Sequence, residues 1–298
     1  MSTYACQLVR RLTSTTAAAT AIAAAAFSAP TAQPLEPAAQ AASSEATAGQ
    51  SVAPRASDPV WHYEGDEGPE HWGTLSPKFI ACGKGRAQSP IDIAKTTPVE
   101  ASAPLKVLFP AAELEIVHNE HVADGINNGH TIQVNYTGAD TLTIGNEAYG
   151  LVQYHFHNPS EHTVRGKHFP MEMHMVHKSA SGTLAVIGVL IKQGTHNDAF
   201  DPIWNHLPTK KGLETHYEHV NVDVDALLPR SRKSYRYEGS LTTPPCTEGV
   251  QWIVMTMPIQ LSAVQIRAFT TIIHDNFRPT QPLNGRPVVT EPVTLASR

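Results

Sequence analysis

From about residue 105 onward, large apolar residues recur in short runs, several with strict alternation, separated by Gly, Asn, Asp and Pro. The runs are LEIVHNEH, HTIQVNY, TLTIG, LVQYHFH, MEMHMVH, TLAVIGVLIK and VQWIVMTMP, rich in β-branched and aromatic residues. Period-two runs bounded by turn formers predict strands. TLAVIGVLIK is almost wholly apolar, the pattern of a central strand covered on both faces. Helical periodicity is confined to Ala199–Leu207 and Ser262–Asn276, with Ser262 placed to cap the second. The fold expected is sheet-based with few short helices.

Two of the runs carry chemistry on one face. In LVQYHFH the polar row Gln153, His155 and His157 alternates with Val152, Tyr154 and Phe156. In MEMHMVH, Glu172, His174 and Val176 share a face opposite Met171, Met173 and Met175. Residues at i and i+2 of a strand point the same way, so His155 and His157 can bind one ion. A strand running back alongside could bring His174 to the same point, giving three imidazole nitrogens and an open fourth position, the pattern of catalytic rather than structural zinc. Metal-bound imidazoles need a partner on the second nitrogen, and Gln153 and Glu172 each precede a histidine by two residues on the same face. The chain holds 16 histidines, and a lone one would signify little. Strand parity puts His177 on the opposite face, packed against the core.

Composition divides the chain near residue 57. Before it lie 19 alanines and neither Trp nor His. Arg10 and Arg11, the apolar run Ala17–Phe27 and the small residues Ala24–Ala26 read as a cleavable leader over 1–29, too weakly apolar to be a membrane span. Residues 30–57, rich in Ala, Pro, Gln, Ser and Thr, are expected to be a disordered linker. Residues 58–298 form one domain, exported to the periplasm or beyond, with no membrane span once the leader is removed. Taking the front's three arginines and two glutamates from the chain's 22 basic and 27 acidic residues leaves 19 and 25, a net charge near −6. That acidity, with no basic cluster or phosphate-binding glycine loop, argues against nucleic acid and nucleotide cofactors. Cys6 falls in the leader, which leaves Cys82 and Cys246 to form a disulfide.

The domain is similar to the alpha-class carbonic anhydrases, secreted bacterial members especially, from Trp61 to Arg286. GPEHW at 68–72, QSPIDI at 88–93, NNGH at 127–130, QYHFH at 153–157 and SEHTV at 160–164 follow in order. EMHMVH at 172–177, SLTTPPCTEGVQW at 240–252 and NFRPTQPLNGR at 276–286 complete the set. The resemblance implies a mainly β (α+β) fold, a twisted and mostly antiparallel sheet of about ten strands with zinc at the bottom of a cleft. It implies His155, His157 and His174 as zinc ligands, and a zinc-bound hydroxide that attacks carbon dioxide to give bicarbonate and a proton, with esterase action on activated esters as a side activity. Thr242 would accept the hydroxide's hydrogen and donate to an ionised Glu161. Val176, Val186, Leu241, Thr243, Val250 and Trp252 match the substrate pocket. His130 matches the proton shuttle, with Tyr63, Asn128 and Gln133 ordering waters. Strict alternation separates His130 from Gln133, so both reach one cleft only if the strand bulges between them. Anions and sulfonamides would inhibit, and the protein would be a monomer or dimer. A catalytically silent relative of the class would lack a zinc histidine, whereas all three stand here. A zinc peptidase would be expected to show HExxH, which the chain lacks.

Overall fold

A computed structural model describes residues 59–295, apart from 99–104, 109–111, 120–129, 137 and 213. The expected leader and linker, and Asn128, lie outside the described residues.

The alternating runs become strands: β1 (Asp92–Ile93), β2 (Thr97–Pro98), β3 (Leu105–Leu108), β4 (Ala112–Asn119), β5 (Thr131–Asn135), β6 (Thr141–Ile144), β7 (Glu147–His157), β8 (Thr163–Val164), β9 (Met171–Ser179), β10 (Leu184–Gln193), β11 (Glu214–Val222), β12 (Lys233–Ser240), β13 (Glu248–Met255), β14 (Ile259–Leu261) and β15 (Val289–Leu295). Thirteen join one large mixed sheet, and β1 pairs with β8 separately. The pairings pass from β7 through β9, β10, β13, β12, β15, β3 and β6 and return to β7, so the sheet curls on itself. Most neighbours are antiparallel, but β10 runs parallel to both β13 and β14. The strand count exceeds ten because short edge pieces such as β2 and β14 pair too.

Central placement of TLAVIGVLIK holds: every residue from Ala185 to Ile191 is buried, between β9 on one side and β13 on the other. One sheet face packs Tyr154, Phe156, Met173, Met175, Ile187 and Val189 into the largest core, closed by Phe200, Ile203 and Phe269. The other face carries a smaller apolar cluster containing Val176, Val186, Val250 and Trp252.

Val152 departs from the expected row. It is 47% exposed, because the β7–β9 register slips between Leu151 and Gln153. Such a bulge reverses side-chain parity. Tyr149 and Leu151 before it, and Tyr154 and Phe156 after it, thus all reach the same core, while Gln153, His155 and His157 turn to the other face.

The helices are short: α1 (Trp72–Leu75), α2 (Ile80–Lys84), α3 (Asp201–Trp204) and α4 (Ala263–Thr270). Ser262 caps α4 reciprocally: its Oγ accepts from the Gln265 N–H, and its own N–H donates to the Gln265 side chain. The helix stops six residues before the expected Asn276. Thr271 Oγ1 donates to the Arg267 carbonyl, and the chain must then turn back so that the Asn276 N–H reaches Asn158 O.

Cys82 of α2 is bonded to Cys246, in the turn before β13, 164 positions away. In the chain-entropy model a loop of that length stabilises the fold by about 5 kcal/mol. Trp61, Trp72 and Phe79 pack around the bridge.

Candidate metal centre

The antiparallel register of β7 and β9 sets His155 directly opposite His174, and His157 follows two residues along β7. One nitrogen from each histidine lies within 4.8 Å of the others, and all three rings are buried. The outer nitrogens of His155 and His157 are hydrogen-bonded, and that of His174 lies against a carboxylate. His155 Nδ1 is 2.9 Å from Gln153 Oε1. His157 Nδ1 is 2.7 Å from the backbone carbonyl of Asn276. His174 Nε2 is 3.1 Å from Glu172 Oε1. The two hydrogen bonds fix the tautomers of His155 and His157, and the three contacts together leave Nε2 of His155, Nε2 of His157 and Nδ1 of His174 to face a common point.

Electrostatics favours the ligand-competent neutral rings. Burial, aided by the neighbouring histidines, holds His155 well below the ordinary imidazole range, burial lowers His157 to about 4, and His174 is lowered chiefly by burial too. Burial raises Glu172, yet His162 and His174 outweigh it and hold the carboxyl well below its usual value. Both Glu172 oxygens are engaged, by His162 N–H and Nδ1 at 2.8 Å each.

Glu161 is fully buried. Its Oε1 accepts from the Arg278 N–H at 2.9 Å. Its Oε2 lies 3.6 Å from His157 Nε2 and 3.8 Å from His174 Nδ1. Neither Glu161 Oε2 nor His157 Nε2 has a hydrogen-bond partner among the described residues. Two buried orphaned polar atoms facing one point suit a cation. Burial pushes Glu161 up to about 7 against His174, the Thr242 hydroxyl and the Arg278 N–H, which favour its charge. A dication among the histidines would restore the carboxylate.

Beside the cluster lies a recess of about 20 Å³, lined by His155, His174, Val176, Val186, Leu241, Thr242, Thr243 and Trp252. Roughly 10–15 Å³ on this measure accommodates one water-sized molecule, so a triatomic guest is of the right scale. Val250 packs behind this wall rather than on it. Cys246 N–H donates to Thr243 O, so the disulfide anchors the Thr242–Thr243 loop.

The shuttle candidates are arranged differently from the expectation. β4 and β5 pair without a register slip, so no bulge separates His130 from Gln133. His130 instead precedes β5 and is released from strand parity. Gln133 stands opposite His155 and donates to Asn135 Oδ1. Tyr63 lies 5.3 Å from His130, ring to ring, and its phenol is raised well above its ordinary value by burial and then by Glu161. His177 does lie on the back face, buried near Asp140.

Sequence reasoning missed the Asn276 carbonyl behind His157, the chain from Glu172 through His162 to Tyr237 and Ser89, and Arg278. The Arg278 guanidinium reaches Gln88 Oε1, Ser89 O and Cys82 O, tying the disulfide segment to the Glu161 loop. Asn276 and Arg278 sit in NFRPTQPLNGR, whose resemblance was visible without any role for them.

A curled mixed sheet bearing three converging imidazoles beside an apolar recess defines a sheet-built enzyme with a site for an ion. Residues 67–292 match the eukaryotic-type carbonic anhydrase family. A carbonic anhydrase of Pectobacterium atrosepticum is 42% identical over 236 residues, covering 78% of this chain and 92% of that protein. One from Klebsiella pneumoniae is 44% identical, covering 77% and 90%. The alpha-carbonic anhydrase of Thermovibrio ammonificans, solved with the inhibitor sulfanilamide, superposes with a TM-score of 0.71 at 40% identity, over 78% of this chain and 99% of that one. The chain belongs to the eukaryotic-type, or alpha, carbonic anhydrase family, enzymes of carbon dioxide hydration.

Proposed function

We propose that this enzyme hydrates carbon dioxide reversibly to bicarbonate and a proton at a zinc ion held by His155 Nε2, His157 Nε2 and His174 Nδ1. The observation carrying this reading is that three buried imidazoles converge, with the outer nitrogens of His155 and His157 hydrogen-bonded and that of His174 3.1 Å from the Glu172 carboxylate. Neutral imidazoles suit zinc and leave its full charge to act on water. Zinc there supplies hydroxide at neutral pH by lowering the pKa of water to about 7, a magnitude established on carbonic anhydrases themselves.

The chain's own groups do the rest. Thr242 donates its hydroxyl hydrogen to Glu161, which as a carboxylate only accepts. The Thr242 oxygen is then obliged to accept a hydrogen from the nucleophile, aiming a lone pair at the substrate. Val176, Val186, Leu241 and Trp252, with Val250 behind and Thr243 at the edge, form the apolar wall against which carbon dioxide lies. His130 accepts the released proton through waters ordered by Tyr63, Gln133 and Asn128. Activated esters are a side substrate, and anions and sulfonamides inhibit. The disulfide fits an oxidising compartment, which supports export after removal of residues 1–29.

The test is metal titration. Hydration activity of the chelated protein should return in proportion to added zinc and saturate at one equivalent; activity undiminished by removing the metal would refute the reading.

A further inference from the structure

Given His130 as the proton acceptor, as proposed above, we infer that His62 is a second relay station that takes the proton from His130 and releases it at the rim beside Glu67. His62 Nδ1 lies 3.1 Å from His130 Nε2, and the two rings meet edge to face with centroids 5.3 Å apart. The Trp61 ring packs at 4.2 Å against the His130 imidazole and limits its swing. On its far side, His62 Nε2 is 3.6 Å from Glu67 Oε2, and these two side chains are 48% and 52% exposed. His130 and His62 therefore form a two-ring path that starts in a half-buried position and ends in solvent.

The path opens on a hollow of about 510 Å³ shared by His62, His130 and Tyr63. The charged or titratable groups around it are Glu64, Lys211, His274 and Asp275, with Glu67 at the far end of His62. Three carboxylates against one lysine favour a passing imidazolium.

The transfer balances without a co-reactant. A proton arriving on Nδ1 makes His130 an imidazolium. Its Nε2–H bond then breaks, the electron pair staying on His130, and a new N–H bond forms on His62 Nδ1. His62 next loses its Nε2 proton to water or a buffer base, and both rings end neutral with tautomers exchanged.

Proton release follows bicarbonate departure, so it governs kcat and leaves kcat/KM untouched. Losing a positioned acid–base group outright costs at least about 100-fold, but without His62 the His130 ring can still hand its proton to buffer, so a loss on the order of tenfold is expected. The experiment compares His62→Ala, His62→Asn, His130→Ala and the His62/His130 double alanine variant in carbon dioxide hydration in weak buffer. Both His62 variants should lose kcat alone and be rescued by added imidazole, and the double alanine variant should lose no more than His130→Ala. Asparagine can accept a hydrogen bond where Nδ1 did but cannot carry a proton, so full kcat in His62→Asn would make His62 a mere prop and overturn the relay. Wild-type kcat in His62→Ala beside an impaired His130→Ala would also overturn it, while leaving the His130 reading intact. An unimpaired His130→Ala would instead remove the shuttle itself.

Discussion

Asn276 gives the sharpest test of how the histidines are held, because its backbone and side chain act together. Its carbonyl fixes His157 Nδ1, while its Oδ1 accepts from Asn158 N–H at 2.7 Å and its Nδ2 donates to Phe156 O at 2.9 Å and His130 O at 2.8 Å. Asn276→Ala removes these three side-chain hydrogen bonds from a site 2% exposed. At roughly 1 kcal/mol each, with more where a buried partner is left unpaired, the loss is about 3–4 kcal/mol of stability. The carbonyl and the Asn276 N–H bond to Asn158 O survive the substitution, but the side-chain ties that hold this backbone to the end of β7 are lost. Loosening an outer partner of a metal-bound histidine typically weakens metal about 10- to 100-fold. Denaturant unfolding of the zinc-free protein reads the first effect, and competition with a calibrated chelator reads the second. A variant destabilised as expected but with unchanged zinc affinity would refute the claim that this clamp orients His157.

Three further outcomes follow from other parts of the site. Thr242→Val, which keeps volume but cannot accept or donate, should lower kcat/KM for carbon dioxide about 100-fold with zinc content unchanged, as for loss of one preorganised polar group; steady-state kinetics beside metal analysis decides it. Cys82→Ser with Cys246→Ser should cost up to about 5 kcal/mol in urea unfolding, and also lower kcat/KM by freeing the Thr242–Thr243 loop; full stability would sink the first claim and full activity the second. Burial raises Asp140 to about 6, so the folded protein holds a proton there that the unfolded chain, titrating near 3.8, has already released. Stability from this group is therefore present at low pH and lost as pH rises through 4 to 6. Asp140→Asn, whose carbonyl can still accept from Leu151 N–H, should be stabilised relative to the parent by about 3 kcal/mol at pH 8. It should gain almost nothing at pH 4, and thermal melts at the two pH values showing no difference would contradict the buried-carboxyl account.

The i, i+2 spacing made His155 and His157 readable as a pair, since strand parity is local. His174 was readable only as a possibility, because its meeting with His155 depends on the β7–β9 register, and the slip at Val152 that sets this register leaves no mark in the alternation. β12, KSYRYEGS, escaped notice because Ser, Arg and Glu interrupt its apolar pattern; its Tyr237 is nonetheless buried. A backbone carbonyl such as that of Asn276 carries no side-chain signature, so the partner of His157 was invisible. The TTPPC turn was legible through the resemblance of SLTTPPC, and the cysteine in it added that a disulfide would hold the turn in a fixed place. His130 was read under strand parity because the run HTIQVNY begins one residue before the strand does.

The central claim is that His155, His157 and His174 hold one zinc ion without which the reaction does not proceed. Zinc titration by calorimetry into the chelated wild-type protein and into His155→Ala, His157→Ala and His174→Ala, each followed by the hydration assay, tests it most directly. The account predicts one tight site in the parent, binding weakened by several orders of magnitude in every variant, and hydration lost with it. Tight one-to-one zinc binding together with full hydration in any one of the three variants would contradict it.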